Sequence, residues 1–422
     1  MLLKALFSAP ETLRAMRSPA RAYLYGSACM GAASAVTMTF LARWLNLLGT
    51  TKTEIGTFQS LDSWGKVAVA LPAAFVLARR PARGVFVTSA LVAGLVYFFL
   101  PFLPSLQWMY AANFVAGLAM TVHYVAIAPF LFRHTSDEDR AEVFSLAEAA
   151  RTMAAVVGAG LAGFAVARLE VPLGSEAEAT SMVVSGAGGF ALLAALFYSR
   201  IQDPEPSMGG GQRILPVLRK NLGLLGRFAA PQFLIATGAG FCIPFLPTYF
   251  QERFDVPADG WGFLFAAGQV LMTVGFLLTP VVLQRFGFVR SMVLIELASL
   301  PFFLMLAFTT SLPVAMFAFL MRGALMNATH PILKNLMMQA TPAGVREVQT
   351  GVNATLWGVG WVIGPLLAGR VLDTTGNDYS VLMCTTVGFY VTAATLTFLL
   401  LRSVEDRVHE EALARRPGEA LA

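Results

Sequence analysis

Twelve apolar runs, each about long enough to cross a lipid bilayer, follow one another along this chain of 422 residues. They lie near 22–47, 54–78, 84–103, 106–132, 143–168, 179–200, 228–250, 260–284, 289–309, 312–339, 348–371 and 380–402. A transmembrane helix needs roughly 20 mostly apolar residues. Lipid offers no partners for open backbone N–H and C=O groups, so runs of this length are expected to be helices. Only 13% of the residues are charged and 56% are hydrophobic, where a water-soluble domain carries about 25% charge. Most apolar side chains must therefore face lipid or one another. The expectation is an all-α integral membrane protein with twelve transmembrane helices.

The same composition excludes several classes. A formal charge of +5 over this length does not argue for nucleic acid. The three cysteines, Cys29, Cys242 and Cys384, all fall inside apolar runs, where a thiol packs as a small hydrophobe and neither a disulfide framework nor a metal site is indicated. The chain has no Gly-x-Ser-x-Gly, His-Glu-x-x-His, phosphate loop or Cys-x-x-Cys, so neither catalysis nor ATP drive is expected, and no cofactor.

Between the runs the polar segments are short, except at 201–226. That break opens with Asp203-Pro204-Glu205-Pro206 and Gly209-Gly210-Gly211, which is linker chemistry. Residues 1–21 read as an N-terminal segment with a short interfacial helix starting near Ser8, and 403–422 as a polar tail. The loops alternate between a side rich in Lys and Arg and a side with few of them. One side collects Arg14, Arg17, Arg21, Arg79, Arg80, Arg83, Arg133, Arg140, Arg285, Arg290 and Arg346 together with the linker. The other holds acids such as Glu170, Glu176, Glu252, Asp255 and Asp373. Because cytoplasmic loops carry the excess of basic residues, both termini and the linker are placed in the cytoplasm. The short loops suit a bacterial inner membrane.

Sliding the chain along itself by 206 residues carries Arg21 onto Arg227, Gly56 onto Gly262, Arg79 onto Arg285, Gly117 onto Gly323 and Arg140 onto Arg346, with no gap. Gly158 then meets Gly364 and Gly163 meets Gly369. The domains expected are a six-helix bundle at 22–200, the linker at 201–226 and a second six-helix bundle at 227–402, as two parallel repeats.

In this arrangement the chain resembles the major facilitator superfamily over roughly residues 20–402. The most specific motif occurs twice: Arg140-Ala-Glu-Val-Phe-Ser-Leu leads into Gly158-Ala-Gly-Leu-Ala-Gly163, and Arg346-Glu-Val-Gln-Thr-Gly-Val into Gly364-Pro-Leu-Leu-Ala-Gly369. The resemblance implies that these arginines precede helices five and eleven, and that the small residues let those helices pack closely. Conformational roles are accordingly assigned to Arg79, Arg140, Arg285, Arg346, Gly158, Gly163, Gly364 and Gly369. The chain also departs from the family. The aspartate of its usual turn between helices two and three is Ala78 in one half and Gln284 in the other, and only Arg285-Phe286-Gly287 keeps Arg-x-Gly. The Gly-Pro-x-x-Gly-Gly pattern of the drug/proton antiporters is missing from helix five.

A charge at mid-membrane costs about 2.5–3.5 kcal/mol on insertion scales, so each one needs a reason. Gln59, Asp62, Ser63 and Lys66 form a polar stripe on the second run, where Asp62 and Lys66 are spaced to pair. They read equally as a structural pair or as a protonation site tuned by the lysine. Glu148 and Arg151 stand one turn apart on the fifth run, with Arg151 near mid-membrane; its guanidinium could hold an anion or satisfy Glu148. The tenth run carries Arg322, Asn327, His330 and Lys334. Asn327, His330 and Lys334 share a face, which the resemblance puts, with His123 and Tyr124 of the fourth run, on a central cavity, and either histidine could carry a coupling proton. His123 by itself reads as a packing residue. Gln269, Asn353 and Trp357 complete the candidates, although the aromatic stripes of the eighth and eleventh runs, Trp261 among them, read more simply as packing. Pro244 and Pro247 mark a kink in the seventh run. Glu296, near Arg285 and Arg290, reads as a structural ion pair.

These features together lead to a secondary active transporter of a small organic solute, proton-coupled through Asp62, Glu148 or His330, working by rocker-switch alternating access as a monomer among membrane lipids. Lys66, Arg151, Arg322 and Lys334 lean toward an anionic solute, and the aromatic content toward an amphipathic one. Multidrug or amphiphile efflux, a lipid flippase and a non-transporting receptor on the same fold are the alternatives.

Overall fold

The computed structural model describes residues 18–77, 81–135, 140–202, 214–342 and 345–414. Arg79, the expected interfacial helix near Ser8, the Pro/Gly segment of the linker and the end of the tail lie outside the described residues, as does the side chain of Arg140.

Thirteen α-helices account for nearly all of the described residues: α1 Ser18–Leu47, α2 Lys52–Leu77, α3 Ala82–Phe99, α4 Leu106–His134, α5 Arg140–Leu173, α6 Glu176–Tyr198, α7 Ile214–Cys242, α8 Leu246–Phe254, α9 Ala258–Phe286, α10 Phe288–Phe308, α11 Leu312–Ala340, α12 Arg346–Thr374 and α13 Tyr379–Ala414. The seventh apolar run supplies two of them. A 3-10 turn at Ile243–Phe245 separates α7 from α8, where Pro244 and Pro247 have no N–H to continue the helix. Among the described residues, ten spans are long and apolar enough to cross a membrane, or eleven if α9, which bends near residue 277, counts as one. The twelfth, α2, is not among them; Lys52, Glu54, Asp62 and Lys66 fall within its sequence.

Local chemistry sets the helix starts. Thr51 and Glu54 form a reciprocal cap on α2: the Thr51 N–H donates to Glu54 Oε2 at 2.8 Å and the Glu54 N–H to Thr51 Oγ1 at 3.2 Å, satisfying two donors the helix leaves open. Ser175 caps α6 by accepting from the Glu178 N–H, with Glu176 and Glu178 in the positive first turn. The start of α10 is capped from far along the chain, since Glu405 of α13 accepts from the N–H groups of Phe288 and Val289. Gly287 turns the chain there at φ 77°, and a Cβ on it would lie 2.7 Å from the Glu405 carboxylate. The Gly of Arg285-Phe286-Gly287 is thus required twice, for a left-handed backbone and for room.

Two compact units result. Unit 1 is Met1–Gly211 together with Phe245–Ala266, and unit 2 is Gln212–Pro244 together with Ala267–Ala422. Within unit 1, α1 packs on α5 and α6, and α3 on α4 and α6; within unit 2, α7 packs on α12 and α13, and α10 on α11 and α13. The 206-residue repeat maps the first set of pairs onto the second.

The core at the repeat-related place differs in chemistry. In unit 1 it is aromatic: Phe86 meets His123 and Tyr198, each with ring centroids 5.2 Å apart, and Tyr23 meets Phe130 at 5.4 Å. In unit 2 the residues in register with Phe86, Phe130 and Tyr198 are Met292, Leu336 and Val404, which belong to a buried aliphatic cluster with Phe228 and Ile332. Both solutions bury apolar area at a packed helix crossing. The unit 1 version includes the imidazole of His123.

Candidate substrate and coupling site

In unit 1 the charged candidates lie on α2 and α5, with His123 and Tyr124 on α4. The Lys66 ammonium donates to Asp62 Oδ2 one turn earlier on α2, and the lysine side chain remains 44% exposed. Asp62 is held against α4 by close backbone approach: a Cβ on Gly117 would come within 2.0 Å of the Asp62 carbonyl oxygen. Asn113 tightens the same crossing by donating to the Phe58 carbonyl at 2.7 Å. On α5, Arg151 grips Glu148 with two nitrogens, Nη2 to Oε1 and Nε to Oε2, the latter at 3.1 Å. Its backbone abuts Gly31 of α1, where a Cβ would meet the Arg151 carbonyl at 2.4 Å. Tyr124 is exposed on α4, in electrostatic range of both Lys66 and Arg151.

His123 is the neighbour of Tyr124 in sequence and its opposite in environment. It is buried, edge-on to Phe86, with Nδ1 3.4 Å from Ser89 Oγ and Nε2 3.5 Å from Tyr198 Oη. It is part of the aromatic core.

In unit 2 the candidates lie on α9, α11 and α12. His330 is half-buried and stands edge-on to Trp357 at 5.2 Å, with the exposed Lys334 in electrostatic range. Asn327 donates back to the Gly323 carbonyl of its own helix at 2.8 Å. Asn353 has its amide nitrogen 3.6 Å from the Met337 sulfur while its oxygen is buried with no partner, and the Trp361 indole N–H is likewise unsatisfied. Gln269 is half-buried on α9. Arg322 is set apart from this group, 5% exposed, its guanidinium over the rings of Phe303 at 5.3 Å and Phe319 at 5.7 Å.

The small residues expected to pack do so. A Cβ on Gly158 would lie 3.0 Å from Ala32 Cα, and one on Gly163 2.6 Å from the Ala258 carbonyl, both within unit 1. In unit 2 a Cβ on Gly364 would lie 2.6 Å from the Thr237 carbonyl, and Gly369 is buried. Arg285 and Arg346 are exposed; Arg346 donates to the Thr341 carbonyl at 3.1 Å. Trp261 is buried and donates its indole N–H to the Thr39 carbonyl at 2.9 Å, a packing role.

The sequence reading misses one group and misassigns another. The first is a polar clasp in unit 1, built around Phe245–Ala266. Arg43, 2% exposed, donates to Glu176 at 2.6 Å and to the Val256 carbonyl at 2.8 Å. Lys52 pairs with Glu252 and donates to Asn46 at 2.6 Å, and Asn46 donates to Gln251 at 3.2 Å. Arg43 stands inside an apolar run, the one signal that marks it beforehand. The second is Glu296. It makes no ion pair with Arg285 or Arg290, which are both exposed; it is buried at 2% exposure, with Oε2 lacking any hydrogen-bond partner among the described residues. A start eight residues inside α10 carries it too deep for those arginines to follow.

A surface hollow of about 640 Å³ lined by Pro81, Arg83, Thr88, Ser199 and Gln202 contains none of the candidates. Pro81 and Ser199 are in register with Gly287 and Glu405, so it occupies the place that the carboxylate cap fills in unit 2.

The model of the Major Facilitator Superfamily matches residues 23–365. The chain belongs to this superfamily. It is therefore an integral, multi-pass membrane protein with twelve transmembrane helices in two parallel repeats. No curated protein matches it in sequence. Among solved structures it is similar to the nucleoside transporter NupG, with a TM-score of 0.75 at 13% identity over 92% of this chain and 100% of that one. It is also similar to a D-xylose–proton symporter, with a TM-score of 0.70 at 14% identity over 92% and 98%. The human organic anion transporter MFSD10 gives a TM-score of 0.64 at 17% identity over 90% and 99%. At such identities the likeness establishes the superfamily fold.

Proposed function

We propose that this superfamily member is a secondary active transporter of a small organic solute, anionic or amphipathic in character, driven by protons through alternating exposure of its binding residues to the two sides of the membrane. The observation that carries the reading is the unit 1 constellation: two internally neutralised pairs within the bundle, Asp62–Lys66 and Glu148–Arg151, both in electrostatic range of an exposed tyrosine, Tyr124. A purely structural pair has no need to stay accessible. Here each cation is paired yet reachable, so an incoming carboxylate or phosphate can compete for it while the displaced Asp62 or Glu148 takes up a proton. His330, Trp357 and Lys334 of unit 2 supply a further cation beside an aromatic face. An organic anion transporter and a proton symporter among the structural neighbours are consistent with this class of work.

Both termini are assigned to the cytoplasm of a bacterial inner membrane, with the Arg43–Glu176 and Lys52–Glu252 clasp on the opposite face. The clasp then secures one gate of the cycle.

Thermal-shift screening of the purified protein against organic anions, sugars, nucleosides and amphiphiles, followed by uptake of the hit into proteoliposomes, tests the reading. An organic anion should stabilise the protein, and Arg151→Ala should lower kcat/KM at least tenfold. Stabilisation by a neutral sugar or nucleoside, with transport untouched in Arg151→Ala, would remove the anion assignment. Stabilisation by lipid-like amphiphiles alone would favour a flippase.

A further inference from the structure

Within unit 2, α10 and α11 meet along two complementary faces. Glu296, Ser299 and Phe303 share a face of α10; Phe319, Arg322 and Met326 share one of α11. Ser299 Oγ donates to the Met326 sulfur at 3.1 Å, and Phe303 lies under the Arg322 guanidinium. This antiparallel register places Thr329 opposite Glu296, but the Thr329 hydroxyl donates to the Met326 carbonyl at 2.8 Å. Ser299 gives its other contact to the Glu296 backbone carbonyl, at 2.6 Å. No hydroxyl of the crossing serves the Glu296 carboxyl group.

Nor does a cation serve it. Arg322 is the only charged group that α11 brings to this crossing, and it is about 10 Å farther along the axis, at the level of Phe303. Helix side chains lean toward their own N-terminus, so in antiparallel helices Glu296 and Arg322 lean apart, and Arg322 rests on two aromatic faces instead. From α13 the facing titratable group is Tyr390, edge-on to Phe303 at 5.2 Å. Cys242 of α7 lies beyond it, in electrostatic range of Tyr390 and Arg322. Glu405 is committed to the cap of α10, two turns away.

A carboxylate anion in that position would be an uncompensated charge in the middle of a membrane bundle, the costliest arrangement open to the side chain. The bundle does not need a carboxyl group to pack: the residues in register with Glu296 and Arg322 in unit 1 are Ala90 and Ala116, both fully buried. We propose that Glu296 is a proton-binding site in the interior of unit 2, a neutral acid in the conformation described here, which gives one proton to water and becomes a carboxylate when this crossing is opened to solvent. The inference deepens the proton-coupled reading and shifts its centre of weight from Asp62, Glu148 and His330 to a residue in the core of the second bundle.

The test is infrared difference spectroscopy on the full-length protein in lipid nanodiscs, wild type against Glu296→Gln. At neutral pH the wild type should show the C=O stretch of a weakly hydrogen-bonded carboxylic acid, downshifted in D2O, absent from Glu296→Gln, and lost as the pH is raised. Carboxylate bands in the difference spectrum at neutral pH, or an acid band that no pH removes, would overturn the proposal. Should the Gln variant fail to fold, Glu296→Ala, with the side chain that unit 1 carries at the same place, gives the same subtraction. The band does not depend on transport. Absence of transport with the band intact would sink the transporter reading and leave this one standing.

Discussion

Four cations of unit 1 are neutralised by carboxylates at very different distances along the chain. Lys66 and Arg151 find Asp62 and Glu148 within one turn of their own helices; Arg43 finds Glu176 from α6, and Lys52 finds Glu252 from α8. The first two pairs can be seen in the sequence because helical spacing alone brings such residues together. The other two cannot, because only the fold decides which distant acid arrives. Glu296 misleads for the same reason. Proximity in sequence to Arg285 and Arg290 suggests a pair, while helix geometry separates an interior residue from two exposed ones. Lys52 is almost wholly buried in its pair. Lys52→Glu should therefore destabilise the protein by on the order of 2 kcal/mol, and adding Glu252→Lys should recover most of that loss. Thermal unfolding of the two single variants and the double variant checks it, and strictly additive losses would mean that the pair contributes little.

At the scale of helices, the repeat is a good guide to which elements touch and a poor guide to how their ends are finished. The pairs α1·α5 and α7·α12 are both drawn together by glycines legible as Gly158 and Gly364. The starts of α3 and α10 diverge: Pro81 precedes one, while Gly287 and the Glu405 carboxylate make the other. No local pattern announces a cap delivered from more than a hundred residues away. Glu405→Ala should cost about 1–2 kcal/mol through the lost cap, and Glu405→Gln, which keeps one acceptor oxygen, should lose less. Gly287→Ala should cost a similar amount, from its left-handed backbone and the crowded carboxylate. Melting temperatures in detergent separate these cases; an unchanged value for Glu405→Ala would show that water caps the helix equally well.

At the scale of the whole molecule, composition and hydrophobic periodicity reveal the class, the number of spans and the duplication, because a bilayer leaves so few alternatives. The boundaries of compactness are another matter. The chain passes from unit 2 to unit 1 at Pro244–Phe245, inside the break between α7 and α8, and returns at Ala266–Ala267 within α9. Residues 245–266 thus complete a unit whose other helices all precede the linker. A fragment ending at residue 211 should melt at a lower temperature and be cut faster by protease than the same fragment co-expressed with 212–422; equal behaviour would show that the inserted segment adds nothing. Synthesis runs in one direction, so six helices enter the membrane well before the ribosome reaches Phe245. Until then the bonds from Arg43 to Val256 and from Lys52 to Glu252 cannot form, and the first unit is unfinished while the second has barely begun. Biogenesis of this protein is therefore expected to include a waiting stage, in which a half-made chain must be kept from degradation by something other than its own final contacts.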